Sequence, residues 1–166
     1  AIVRIAKIKD IKTMIYAFAE VNQAMPDTRL HIMGDVDDEE YFESCKALIE
    51  QLDVKGIIFT GSVNVAEYIK KLDFIILTSI SEGQPLSVLE AFAAGRACVT
   101  TDVGCCRELI EGDDGLGNAG ICVPPMNKEQ LAQAMLELCR NQAKRRKMGQ
   151  IGKDRDRKST RLNSSH

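Results

Sequence analysis

Asp73-Phe74-Ile75-Ile76-Leu77, then after Thr78-Ser79-Ile80 the run Ser81-Glu82-Gly83-Gln84-Pro85-Leu86-Ser87-Val88-Leu89-Glu90-Ala91-Phe92-Ala93-Ala94-Gly95, reads as a strand feeding a helix. The first segment is a short apolar run of strand length. In the second, Leu86, Leu89, Phe92 and Ala93 recur at helical spacing. Gly83 loosens the turn, and Pro85 suits the first helical position. Glu82 then falls in the loop beyond the strand's carboxyl end, and Glu90 about one and a half turns into the helix. Free backbone N–H groups at the helix start make an anion site with a carboxylate on either side. Two carboxylates repel an anion unless they accept hydrogen bonds from neutral hydroxyls. A phosphate flanked by hydroxyl-rich groups, as in a nucleotide sugar, meets that condition.

Outward from this junction the chain alternates strand and helix. Strands are expected at 2–6, 30–33, 56–59, 74–77, 97–100 and 119–123. Helices are expected after Asp10, over 38–52, 63–72 and 86–94, near 106–110, and from Asn127, with Leu131, Ala134, Met135 and Leu138 as the last buried stripe. This order implies an α/β fold: a Rossmann-like, doubly wound parallel sheet of about six strands with helices on both faces. Ligands in such sheets bind beyond the carboxyl ends of the strands. The domain is expected over 1–141. The tail, 142–166, turns basic and polar through Lys144-Arg145-Arg146-Lys147 and reads as disordered. Its end, 156–166, resembles translated sequencing-adapter read-through and is set aside as non-native. The chain opens without Met, directly in an apolar strand, so a truncated N-terminus is expected.

Composition excludes several classes. The 166 residues suffice for one core, and 45% are apolar. A formal charge of −2 argues against nucleic acid as a partner. No apolar run approaches bilayer length. The six cysteines show no C-x-x-C spacing and the two histidines have no ligand-like neighbours, so no metal site is assigned. Cys98, Cys122 and Cys139 read as small buried hydrophobes, and a reducing compartment follows. Cys105-Cys106 sits in a loop, with no cationic pocket to activate it. The acidic run Asp35, Asp37, Asp38, Glu39, Glu40 suits a helix N-terminus better than a cation.

Two cations belong with the central motif. Arg4 and Lys9 project near the carboxyl end of the first expected strand, where they can neutralise a diphosphate. The loop Phe59-Thr60-Gly61-Ser62-Val63 can meet a nucleobase edge.

These residues carry a resemblance. Arg4-x4-Lys9-Asp10, Ile32-Met33-Gly34, Phe59-Thr60-Gly61, Thr78-Ser79-x-x-Glu82-Gly83-x-Pro85 through Glu90-Ala91-x-Ala93-x-Gly95, and Thr101-Asp102-Val103-Gly104 together resemble the C-terminal, donor-binding domain of family-four retaining glycosyltransferases of the two-domain GT-B type. Lys9-Asp10-Ile11-Lys12-Thr13, Glu82-Gly83-Gln84-Pro85-Leu86 and Cys106-Arg107-Glu108-Leu109-Ile110 resemble the PelF-type members, which act in Pel exopolysaccharide synthesis. The resemblance implies roles. Arg4 and Lys9 would hold the donor diphosphate, and Glu82 with the Gly83 and Gln84 backbone would face the donor sugar. The N–H groups of Leu86 and Ser87 would meet the distal phosphate, Glu90 would accept from the ribose hydroxyls, and Val63 would lie near the base. It further implies a UDP-sugar donor, no metal or other cofactor, and a hexosyltransferase whose missing N-terminal domain brings the glycan acceptor. This fragment would be inactive by itself. The setting implied is cytoplasmic, at the inner membrane face, beside membrane-bound polysaccharide-synthesis proteins. Val3 stands where the family has Gly, and a side chain there would crowd the cleft between domains. The residues taken alone also admit a nucleotide-sugar epimerase of the same architecture or a degenerate nucleotide-binding module.

Overall fold

The computed structural model describes residues 1–164; 165–166, the end of the tail, lie outside the described residues. Among the described residues five strands form, all paired in parallel: β1 (Leu30–Met33), β2 (Ile57–Gly61), β3 (Phe74–Leu77), β4 (Ala97–Thr101) and β5 (Gly120–Val123). β1 pairs with β2, and β3, β4 and β5 make a second ladder in that order. Between them come α1 (Ile11–Ala24), α2 (Glu39–Leu52), α3 (Val65–Tyr68), α4 (Leu86–Ala93), α5 (Cys106–Glu111), α6 (Lys128–Arg140) and α7 (Gln142–Ser164). The fold is the Rossmann-like α/β arrangement expected, with five strands where about six were anticipated.

The difference lies at 2–6. That segment touches β1's strand path only through isolated parallel bridges, Ile2 to Met33 and Ile5 to Val36. Its second bridge falls past the end of β1, and a tight 3-10 turn at Lys7–Lys9 ends the extended run. Among the hydrogen bonds that hold it are Val3 N–H to Met33 O, Ile5 N–H to Asp35 O, and Asp37 and Asp38 N–H to Ile5 O.

Period-two alternation distributes the strand side chains between two cores. Ile76 of β3 and Ala97 and Val99 of β4 pack with α1, α2 and α6. Ile75, Leu77 and Cys98 point the other way, toward α4 and α5. Both faces are thus covered, as a parallel sheet requires. The expected stripe of α6, Leu131, Ala134, Met135 and Leu138, is buried, each large side chain contributing roughly 1.5–3 kcal/mol. Caps set the helix starts: Asp10, Asp38 and Asn127 accept from the N–H groups of Thr13, Tyr41 and Gln130.

The tail corrects the expectation of disorder from 142 onward. Residues 142–164 form α7, and its first two-thirds dock on the domain. Gly149 makes this possible: a Cβ there would lie 2.2 Å from the Gly95 carbonyl oxygen. Arg155, 9% exposed, carries the docking. Its guanidinium donates to both Asp114 oxygens and to the carbonyls of Leu109, Ile110, Glu111 and Gly117 at 2.7–3.3 Å. Those carbonyls close the end of α5 and the loop after it, where a helix leaves acceptors unsatisfied. Low hydropathy hid the helix because its docking face is made of one buried arginine, two glycines and only a few apolar residues, Met148 and Ile151. Among the described residues no helix is long and apolar enough to cross a membrane.

Candidate functional site

The residues singled out by sequence gather at the carboxyl ends of the strands, in the loops after the N-terminal segment, β2 and β3. Lys9 closes the 3-10 turn, and the Thr78 hydroxyl at the end of β3 lies 2.9 Å from the Lys9 carbonyl oxygen and 3.0 Å from that of Asp10. That contact brings the lysine over the β3–α4 loop. There its Nζ donates to Glu82 Oε2 at 2.9 Å and Oε1 at 3.3 Å. The Lys9 side chain is 23% exposed and that of Glu82 11%. Ser79, fully buried, donates its hydroxyl to Glu82 Oε2 at 2.8 Å. The loop is backed by Gly104, at φ +54°, where a Cβ would meet the Glu82 carbonyl oxygen at 2.3 Å. A residue with a side chain there would push the Glu82 loop outward.

Arg4 takes a different partner. Its Nε donates to Asp37 Oδ2 at 2.7 Å and Nη2 to Oδ1. The side chain is 66% exposed. The arginine beside it holds the Asp37 carboxyl below its ordinary range. Being so exposed, the pair adds little to stability, but it fixes the guanidinium and leaves three of its five N–H donors unused. Lys9 likewise keeps one N–H beyond its two contacts with Glu82. Both cations can therefore still receive an anion. No hydrogen bond or ion pair joins Arg4 to Lys9 or Glu82 among the described residues.

Helix α4 starts at Leu86 as expected, with Pro85 as the capping residue and not the first helical one. Leu86 N–H is taken by the Gln84 carbonyl at 2.9 Å, which corrects its expected freedom. Ser87 N–H has no acceptor among the described residues, so it is the first-turn donor left for a ligand. Gly83 and Gln84 are exposed, and a Cβ at Gly83 would meet nothing within 4 Å. Glu90 sits on α4, partly buried, its carboxylate without hydrogen bond or ion pair among the described residues. Burial pushes its carboxyl above the ordinary value, as expected for an acid removed from water with no cation nearby. Val63 lies half-buried in the loop between β2 and α3, whose helix Asn64 caps.

One expectation needs revision. Val3 is 6% exposed and packs into the core with α1 and β1 rather than standing in the cleft. The acidic run resolves into separate tasks: Asp38 caps α2, Asp37 holds Arg4, and Glu39 and Glu40 fill the first turn of α2. Ser79, Asp37 and Gly104 were given no individual role by the sequence: Asp37 and Gly104 are revealed by long-range contacts, and Ser79 by the conformation of the loop that turns Glu82 back onto it. Cys106 is buried and its thiol pushed up to about 12 by desolvation, so it is not an activated nucleophile.

Comparison with known proteins shows the family. The family described as glycosyl transferases group 1 matches residues 1–155. An alpha-monoglucosyldiacylglycerol synthase of Streptococcus pneumoniae is 29% identical over 152 residues, covering 81% of this chain and 34% of that protein. The chain spans about a third of the length of the first curated relatives it matches. Among solved structures, the C-terminal domain of a group 1 glycosyl transferase (LpcC) from Francisella tularensis superposes with TM-score 0.81 at 26% identity, covering 92% of this chain and 80% of that one. Anabaena HepE, solved in complex with UDP and glucose, gives TM-score 0.83 at 20% identity over 93% of this chain and 42% of its own. With nearly all of its length accounted for, the chain belongs to the group 1 glycosyl transferases.

Proposed function

We propose that this chain is the donor-binding half of a retaining glycosyltransferase that takes a UDP-sugar and extends an exopolysaccharide, in the manner of the PelF-type enzymes. The observation that carries the reading is Glu90, a carboxylate left without a protein partner beside a helix N-terminus that still offers the Ser87 N–H. Such a group lacks a structural use where it stands and suits the vicinal hydroxyls of a ribose. Lys9, Arg4 and Ser87 N–H supply positive potential for the diphosphate, and Glu82 accepts from the sugar. Val63 borders the base.

The chemistry follows from the charges. Departure of the nucleoside diphosphate builds negative charge on its distal phosphate. Fixed cations and a helix N-terminus lower that cost, and removing one preorganised donor typically costs about 100–1,000-fold in rate. In this reading they do the electrostatic work without a metal. The acceptor comes from a second domain of the longer hexosyltransferase, and this part alone transfers nothing. A cytoplasmic site at the inner membrane face, beside membrane-bound synthesis partners, fits the PelF-type resemblance. Each charge-assisted contact is worth roughly 1.5–3 kcal/mol, so Lys9→Ala or Arg4→Ala is expected to weaken UDP binding by about tenfold or more. Unchanged affinity in both variants, measured by calorimetry, would remove the diphosphate assignment.

A further inference from the structure

We infer that Ser79 is a positioning residue for the donor sugar, acting through Glu82; the inference rests on the donor-site reading above. A carboxylate has four lone-pair positions. On Glu82, Oε2 fills both of its own, with the Ser79 hydroxyl at 2.8 Å and the Lys9 ammonium at 2.9 Å. Oε1 has a single, longer contact of 3.3 Å to Lys9. Accepting capacity is therefore left on Oε1 alone, and that is the oxygen available to a ligand hydroxyl.

The two donors to Oε2 differ in permanence. Lys9 is part exposed and shares its ammonium with any phosphate that arrives. Ser79 is fully buried, and its carbonyl is pinned by the Thr101 hydroxyl at 2.7 Å. No ligand can compete for the Ser79 hydroxyl. When a diphosphate draws Lys9 away, Ser79 is what keeps Glu82 from turning about its last side-chain torsion, which is otherwise broad and soft. Ser79 thus matters most once donor is bound, and it matters to the sugar rather than to the nucleotide.

The test compares UDP with the tightest binder among UDP-glucose, UDP-galactose and UDP-N-acetylglucosamine, by calorimetry on the chain. Ser79→Ala is expected to leave UDP affinity within about twofold and to lower UDP-sugar affinity by about tenfold, the scale of one lost hydrogen bond to a charged group. Ser79→Thr, which keeps the hydroxyl, should restore it. Ser79→Cys keeps the shape with a weaker donor and carries the same test if the alanine variant does not fold. UDP-sugar binding that is equal in Ser79→Ala or Ser79→Cys and the unsubstituted chain would overturn this inference alone. Equal losses for UDP and UDP-sugar would also overturn it, showing general damage. No binding of any of these nucleotides by the unsubstituted chain would overturn the donor-site reading, and this inference with it.

Discussion

Replacing Arg155 by alanine tests whether the C-terminal helix belongs to the domain. The guanidinium and the Asp114 carboxylate are each only 10% exposed. Removing the guanidinium strips two hydrogen bonds from Asp114 and one from each of four carbonyls. Water can reach some of those carbonyls once the side chain is gone, so the main loss is the carboxylate left without its cation. Breaking one side of a buried pair costs about 3–5 kcal/mol, a large share of the roughly 5–15 kcal/mol a domain possesses. With a urea slope of about 2 kcal/mol/M, the unfolding midpoint should fall by about 2 M at unchanged slope. Arg155→Lys keeps the charge but not the fork and should recover only part. The pH dependence has a defined sign. The arginine holds the Asp114 carboxyl well below its usual range. The contribution is therefore complete above the unfolded value near 4 and is lost as pH falls from there toward the folded value. The gap between the parent and Arg155→Ala should stay constant from pH 7 to about 5 and narrow below 4. A midpoint shift under about 0.5 M would refute the reasoning and return 142 onward to the status of a loose tail.

Two further outcomes follow. Gly149→Ala should lower the melting temperature although alanine is the better helix former by about 1 kcal/mol, because its Cβ has no room against the Gly95 carbonyl; a higher melting temperature in a thermal scan would contradict the close approach. Glu90, with its carboxyl raised by burial, must be ionised to accept from hydroxyls, so UDP affinity should weaken as pH falls toward its titration, at a higher pH than for an ordinary glutamate. In Glu90→Gln that part of the pH dependence should vanish, and an unaltered profile by calorimetry would remove Glu90 from the site.

The readability of this chain was uneven for physical reasons. The β3–α4 junction was legible because periodicity switches from strand to helix across Gly83 and Pro85; the starts of α1, α2 and α6 were legible because local capping by Asp10, Asp38 and Asn127 needs no tertiary information. The first extended segment looked like a strand by composition, yet its pairing depends on where β1 ends, which no local pattern states. The α7 helix was missed because its docking rests on long-range contacts that no local pattern states: Arg155 reaches residues more than 35 positions away, and Gly149 lies against Gly95. The candidate site residues were named by motif, but their mutual contacts were not: Lys9 meets Glu82, and Arg4 meets Asp37. Leu86 N–H lost its expected role through a turn contact with Gln84 that spacing alone does not reveal.

The most direct test of the donor-site account is a calorimetric titration of the purified chain with UDP, GDP and ADP, without added metal, alongside Glu90→Ala. The account predicts selective UDP binding that is lost in Glu90→Ala while both proteins remain folded. UDP binding of equal strength in the two, or no preference for UDP over GDP and ADP, would contradict it.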